Sequence, residues 1–513
     1  MRTNRLWTAL VIVMMAALIA APAAMSCTIV SVGTAAMVDG STVTTHNDDS
    51  GVADYRLRIN PAADWGPDAM RDIVYDSHNY VGGMVVGQMP QVAHTYRYFS
   101  SRYSFINEMG VAMGEATFSY TRNTDQRTAV YNDLIRNSDG IIDCWFAQDI
   151  ALERAATARE AVQVMGNLVE TYGWAGPGET INIVDGTEVW IAEFYGKGLW
   201  AAVRVPADHV FVAANRARIG IIDITDTANY MASPDIFSYA IEKGWYNPAS
   251  GQPFVIYDIY APYDDLYSTR REWRGLSLVA PSLNLDPYAL RFPFSVKPEK
   301  KLTVQDVWNI KADYYQGTEF DMSKDAYGST HKGDPLRHAQ SGGGSWERTI
   351  NMHRTCYLMM AQIKNWLPKE IGALVWYGYG APDTAYVTPL WPIMNDIPDF
   401  YKIGTRYEPF QREAGWWVST YVQQMAEMDY IRATEIIHGF RNPRMEALYT
   451  IVPKIQETAA LMYSTNKAAA LNLIDQYAYL TAAGWFEDWL NLGDYLFSQF
   501  YFNGSYYNAD KAW

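Results

Sequence analysis

From Cys27 to Ala214, apolar and β-branched residues gather in short runs closed by turn residues, the pattern of a strand-rich region. Cys27-Thr-Ile-Val-Ser-Val32, the turn Val38-Asp39-Gly40-Ser41 and Thr42-Val43-Thr44-Thr45 together predict a β-hairpin. Further strands are predicted over Gly110 to Phe118, Thr180 to Asp185, Glu188 to Tyr195, Leu199 to Val205 and Val210 to Ala214.

Helices interleave with these strands. Thr157-Ala-Arg-Glu160 is a capping-box pattern, followed by Val162, Met165, Leu168, Val169 and Tyr172 at helical spacing. Thr303-Val-Gln-Asp306 opens another helix in the same way. Between about 244 and 300, Pro, Gly and Tyr are frequent and periodicity is weak, which predicts long surface loops. From roughly Gln411 to Phe500 the pattern is helical throughout. The organisation expected is a leader at 1–26, a mixed α and β domain at 27–400 and a helical extension at 401–513 packed on it.

Residues 1–26 have the form of a secretory signal, with Arg2 and Arg5 followed by an apolar stretch and then Ala-Pro-Ala-Ala-Met-Ser. The expected destination is periplasmic or extracellular. No later segment has the uninterrupted apolar length of a membrane-spanning helix. The formal charge of −15, with no basic run, argues against nucleic acid as a partner, because phosphate binding needs clustered Lys and Arg. Three cysteines, Cys27, Cys144 and Cys356, are too few for a disulfide framework and allow one bridge at most. Unpaired, Cys144 and Cys356 read as small buried hydrophobes. Ser341-Gly-Gly-Gly-Ser345 lacks the Gly-Lys-Ser/Thr of a phosphate loop and reads as a turn. His331, His338, His353 and Asp334 show no metal-ligand spacing.

The chemistry concentrates at Cys27. Ala24-Met25-Ser26 places small residues where signal peptidase reads them, so cleavage after Ser26 leaves Cys27 first in the chain. A free α-amine, with an ordinary pKa near ~8, then stands beside a thiol and can take its proton. Cleavage after Ala23 instead leaves a short propeptide to remove. Two other readings stay open: lipidation of Cys27 in an anchored binding protein, although Ala24 replaces the usual lipobox Leu, and a buried structural cysteine.

Cys27-Thr28, Gly33, Asp39-Gly40-Ser41 and His46-Asn47-Asp48-Asp49-Ser50 resemble the opening of the secreted cysteine dipeptidases of the N-terminal nucleophile (Ntn) hydrolases, relatives of the secernins. Asn107-Glu108-Met109-Gly110 leading to Gly114-Glu115-Ala116-Thr117-Phe118 continues the resemblance, as do Gly173-Trp174, Glu188-Val189-Trp190, Val203-Arg204-Val205-Pro206 and Asn215-Arg216-Ala217-Arg218. Gly317-Thr-Glu-Phe-Asp321 and Val375-Trp-Tyr-Gly378 extend it to about residue 400.

The resemblance implies an α+β fold, a four-layer αββα sandwich with the nucleophile at the end of a central strand. It implies hydrolysis of dipeptides or short peptides by Cys27 through a thioester, with no cofactor and no metal. Comparison with the more distant choloylglycine and penicillin V acylases places Asp49 at a catalytic carboxylate, with His46 where an Arg is common. The same comparison puts Asn215 at the oxyanion-donor position and Thr117 close to the oxyanion. Glu115 and Arg218 are the candidate substrate-binding residues, Arg218 being equally suited to a structural ion pair. The rival enzyme is an N-acyl amide hydrolase of the acylase type. Side-chain specificity and oligomeric state are left open.

Overall fold

The computed structural model describes residues 27–50, 54–324, 333–336 and 347–500. The leader at 1–26, His331, His338 and the Ser341–Ser345 turn lie outside the described residues. The strands that build the frame are β1 (Ile29–Val32), β2 (Thr42–Asp48), β3 (Arg58–Asn60), β4 (Tyr98–Ser100), β5 (Ser104–Asn107), β6 (Ala112–Phe118) and β7 (Gly178–Val184). They continue with β8 (Val189–Gly196), β9 (Leu199–Val205), β10 (Val210–Ala213), β11 (Tyr230–Ala232), β12 (Tyr357–Ile363), β13 (Ala373–Tyr379) and β14 (Thr388–Leu390). The helices used below are α1 (Cys144–Arg154), α2 (Ala158–Tyr172), α3 (Leu266–Val279), α4 (Val304–Lys311), α5 (Gly415–Met428), α6 (Tyr430–Tyr463) and α7 (Lys467–Phe500).

The strands form two antiparallel sheets, one of six in the order β10-β1-β2-β12-β13-β14 and one of eight in the order β11-β9-β8-β7-β6-β5-β4-β3. β1 and β2, interior to the first sheet, pack against β6 and β7 of the second. Both are buried along their whole length, including the polar Ser31 of β1 and His46, Asn47 and Asp48 of β2. Polar ties cross the gap: Asn182 Nδ2 on β7 donates to Ser31 Oγ at 3.0 Å and to the Thr45 carbonyl at 3.2 Å. At Gly114 the sheets approach so closely that a Cβ would stand 2.8 Å from the His46 Cβ and 2.9 Å from the Thr45 carbonyl oxygen. α1 and α2 pack beside the eight-stranded sheet, α3 against β10, and α5 and α7 against β13 and β14.

The two predicted caps form. The Thr157 side chain accepts from Glu160 N, and Thr303 and Asp306 complete a reciprocal capping box. The loop expectation for 244–300 is corrected: it contains α3, fourteen residues long, capped by the Asp265 side chain on Tyr267 N. Its period escapes a hydrophobic reading because the buried face is partly polar, carrying Ser268, Thr269, Arg270, Arg271 and Glu272. Gly275 lets this helix press on β10, where a Cβ would meet Val212 Cγ1 at 2.8 Å, and one turn earlier Arg271 shares that face.

The helical region from Gln411 is three helices joined to the frame by one contiguous apolar core that runs from Cys27 to Phe500. Arg441 donates to the carbonyls of Pro382, Asp383 and Ala385, and Trp485 stacks on Tyr386 at 5.0 Å. No helix among the described residues is long and apolar enough to cross a membrane. All three cysteines are free and buried, so Cys144 and Cys356 do not pair.

Candidate functional site

Cys27 precedes β1, and Thr28 bridges Asn47 of β2, so the thiol sits where these two interior strands of the six-stranded sheet face the other sheet. Cys27 Sγ donates to Glu115 Oε1 at 2.8 Å, and His46 Nε2 lies 3.0 Å from the same oxygen. His46 Nδ1 is 2.9 Å from the Tyr357 hydroxyl, which fixes the ring from its other side. Thr117, two residues along β6 and therefore on the same strand face as Glu115, donates toward Glu115 Oε2 at 3.3 Å and Glu179 Oε1 at 2.8 Å. Sulfur, imidazole and the side chains of Glu115, Tyr357, Thr117 and Glu179 around them are almost wholly buried.

Burial, reinforced by the charges of Glu115, Asp48 and Asp49, pushes the Cys27 thiol well above its ordinary range. It therefore stays protonated until a base reaches it. Burial also works to raise Glu115, but the hydrogen bond and charge of His46 outweigh it and hold Glu115 below the usual carboxylate range. Glu179 moves the other way, raised by burial and by the neighbouring Glu115 charge. The pair therefore divides into an anion that faces the sulfur and a neutral acid behind it.

On the backbone side, Cys27 is gripped by cations. Arg271 NH1 donates to the Cys27 carbonyl at 2.7 Å and to Thr28 Oγ1 at 2.9 Å, while its NH2 reaches Asn215 Oδ1 at 2.7 Å. Arg348 NH1 pairs with Asp49 Oδ2 at 2.7 Å, and its NH2 reaches the Cys27 carbonyl at 3.5 Å. Lys311 Nζ donates to the Thr28 carbonyl. Burial pushes Lys311 down to about 7 against the opposing pull of Asp49 and Cys27. Asp48, whose Oδ1 accepts from Ser50 N at 3.0 Å, is raised to about 6 by burial.

The structure thus brings together Cys27, Glu115, Thr117, Asp49 and Asn215, the last two through one arginine each. Asn215 Nδ2 donates to the Thr117 carbonyl at 2.7 Å, tying β6 to the chain after β10. Glu115, expected to bind substrate, is found on the sulfur itself. Arg218 is spent elsewhere, on Glu272 at 3.3 Å and the carbonyls of Val212 and Pro293, which is the ion-pair alternative. Where His46 stands in place of an Arg, the guanidinium groups beside Cys27 are those of Arg271 and Arg348, from distant segments. Neither Arg carried a motif, and Glu179 and Tyr357 lie outside every predicted strand. Among the described residues one donor set can hold a metal ion: the sulfur of Cys27, a ring nitrogen of His46 and a carboxylate oxygen of Glu115 lie within 4.8 Å of one another.

Residues 26–442 match the family model described as Peptidase family C69, a match that runs past residue 400 and into α6. A probable dipeptidase of Salmonella dublin is 30% identical, the match covering 72% of this chain and 82% of the relative. A probable dipeptidase of Latilactobacillus sakei is 28% identical over 79% of this chain and 82% of the relative. A dipeptidase of Bifidobacterium longum is 25% identical over 73% of each.

Proposed function

The chain belongs to peptidase family C69, and from that premise we propose that it is an exported cysteine-type dipeptidase whose nucleophile is Cys27, freed by cleavage after Ser26. The observation that carries the reading is the Cys27 thiol hydrogen-bonded to Glu115 within the buried His46–Tyr357 cluster. The relatives' names, dipeptidase in each case reported, support the substrate class.

In the full chain the thiol is buried and protonated, which suits a precursor with no activity. Cleavage gives Cys27 an α-amine with an ordinary pKa near ~8, a base on the same residue. The amine takes the thiol proton, the sulfur attacks the peptide carbonyl, and the leaving amine departs with that proton. Water then hydrolyses the thioester and regenerates the thiol. Glu115 and His46 orient the sulfur, and Asp49, held by Arg348 and Thr355, stands close to the new amine. Asn215 is the proposed oxyanion donor, and Thr117 supports it through its carbonyl. Arg271, Arg348 and Lys311, gathered near Glu115 and Asp49, give the buried surroundings of Cys27 both signs of charge, which suits a zwitterionic dipeptide whose two ends need opposite partners. The layering of helices on either side of two packed sheets supports a four-layer αββα sandwich of the Ntn type.

The test runs dipeptides, longer peptides and N-acyl amides on the mature protein beside Cys27→Ala. Dipeptide cleavage that disappears in a folded Cys27→Ala variant is expected, and N-terminal sequencing should begin at Cys27. Undiminished cleavage by the variant refutes the nucleophile. Cleavage confined to N-acyl amides refutes the substrate class.

A further inference from the structure

We propose that Cys27, His46 and Glu115 form a binding site for a thiophilic divalent cation, zinc above all, and that its occupation shuts off the nucleophile. Among the described residues this is the one group of three His, Cys, Asp or Glu side chains whose ligand atoms converge, all within 4.8 Å of one another. Zinc favours such a mixed set, a thiolate, an imidazole and a carboxylate at about 2.0 to 2.3 Å, with a fourth position left for water.

The charge balance favours the ion. Thiolate and carboxylate contribute two negative charges, neutral imidazole none, so a dication makes a neutral unit where an unpaired charge is costly to bury. The contacts that hold the donors also leave their metal-facing atoms directed inward. His46 Nδ1 meets the Tyr357 hydroxyl at 2.9 Å, which leaves Nε2 toward Glu115 and the sulfur, and Glu115 Oε2 is held by Thr117 at 3.3 Å while Oε1 faces both partners. Outer contacts of this kind orient metal ligands. On binding, the Cys27 S–H and the His46 Nε2–H bonds break, both protons go to solvent, and sulfur–metal and nitrogen–metal bonds form, with no change in oxidation state. The metal takes the place of the hydrogen-bonding protons that now join sulfur, nitrogen and carboxylate.

The other two cysteines lack such company. Cys144 Sγ is 3.9 Å from Gln148 Oε1, and Cys356 Sγ donates to the carbonyl oxygens of Ser50 and Arg354.

Titration of the purified protein with cobalt(II) alone, read by thiolate-to-cobalt charge-transfer absorption and by proton release, tests the site without substrate. A band that saturates at one equivalent, releases two protons and is bleached by zinc is expected. It should vanish in Cys27→Ser and weaken at least tenfold in His46→Gln. It should persist in the Cys144→Ala/Cys356→Ala double variant, which leaves the three donors intact and guards against misfolding of the single variants. No band in the wild type, or one retained in folded Cys27→Ser, overturns the site. Zinc that fills the site yet leaves peptide hydrolysis unchanged overturns the shut-off. Because absorption and proton release need no turnover, they report on the metal even if Cys27 is not the nucleophile.

Discussion

Asp48 ends β2 with one carboxylate oxygen bound to Ser50 N and the other buried without a hydrogen bond, so its charge is poorly supported. Burial raises its pKa from 3.8 to about 6. A shift of roughly two units corresponds to about 3 kcal/mol at 1.36 kcal/mol per unit. The sign follows from proton counting. Between about pH 4 and pH 6 the folded protein holds this proton and the unfolded chain has lost it, so stability from this residue falls as pH rises. Above pH 6 the full cost is in place, and below pH 4 it is absent. Asp48→Asn keeps the acceptor for Ser50 N and cannot ionise, but it introduces an amide whose burial has a cost of its own. That cost does not vary with pH and cancels in a difference of differences. The stability of Asp48→Asn relative to wild type should therefore improve by about 3 kcal/mol between pH 4 and pH 8, read from urea unfolding at each pH. Parallel pH profiles for the two proteins would refute the reasoning.

Gly114→Ala sets a methyl 2.8 Å from His46 Cβ and 2.9 Å from both the Thr45 carbonyl and Asn182 Oδ1. It should lower stability by roughly 1–3 kcal/mol and reduce hydrolysis with it, and an unchanged melting temperature contradicts the close approach. Glu179, held neutral by burial and Glu115, should accept Gln with little change in activity, whereas Glu115→Gln removes the anion on the sulfur. The second variant should lose at least ~100-fold in kcat, and equal losses in the two argue against the division of charge.

Much of the frame was legible because its strands are long, β-branched and bounded by turn residues. β2 outran its prediction, Thr42–Thr45 against Thr42–Asp48, because its last residues are polar yet buried, a case that hydrophobic patterning does not register. α3 was hidden for the same reason, and Arg271 with it. Cys27, Asp49, Thr117 and Asn215 were reachable through motif order. Arg348 and Tyr357 lie more than three hundred residues from Cys27 and His46, and their proximity follows from the pairing of β12 with β2, which no local pattern encodes. The charges on Arg218 and Glu115 were visible, but which faced the sulfur depended on that assembly.

The thiol's surroundings are drawn from opposite ends of the catalytic frame: β2 and β6 early in the chain, α3 in its middle, and Arg348 and β12 near its end. A ribosome that has released only the first three hundred residues has made Cys27, His46 and Glu115 but neither Tyr357 to steady the imidazole nor Arg348 to neutralise Asp49. The order of synthesis thus works as a safety catch. Cys27, the proposed nucleophile, is among the first residues made, and the contacts that surround it are completed among the last.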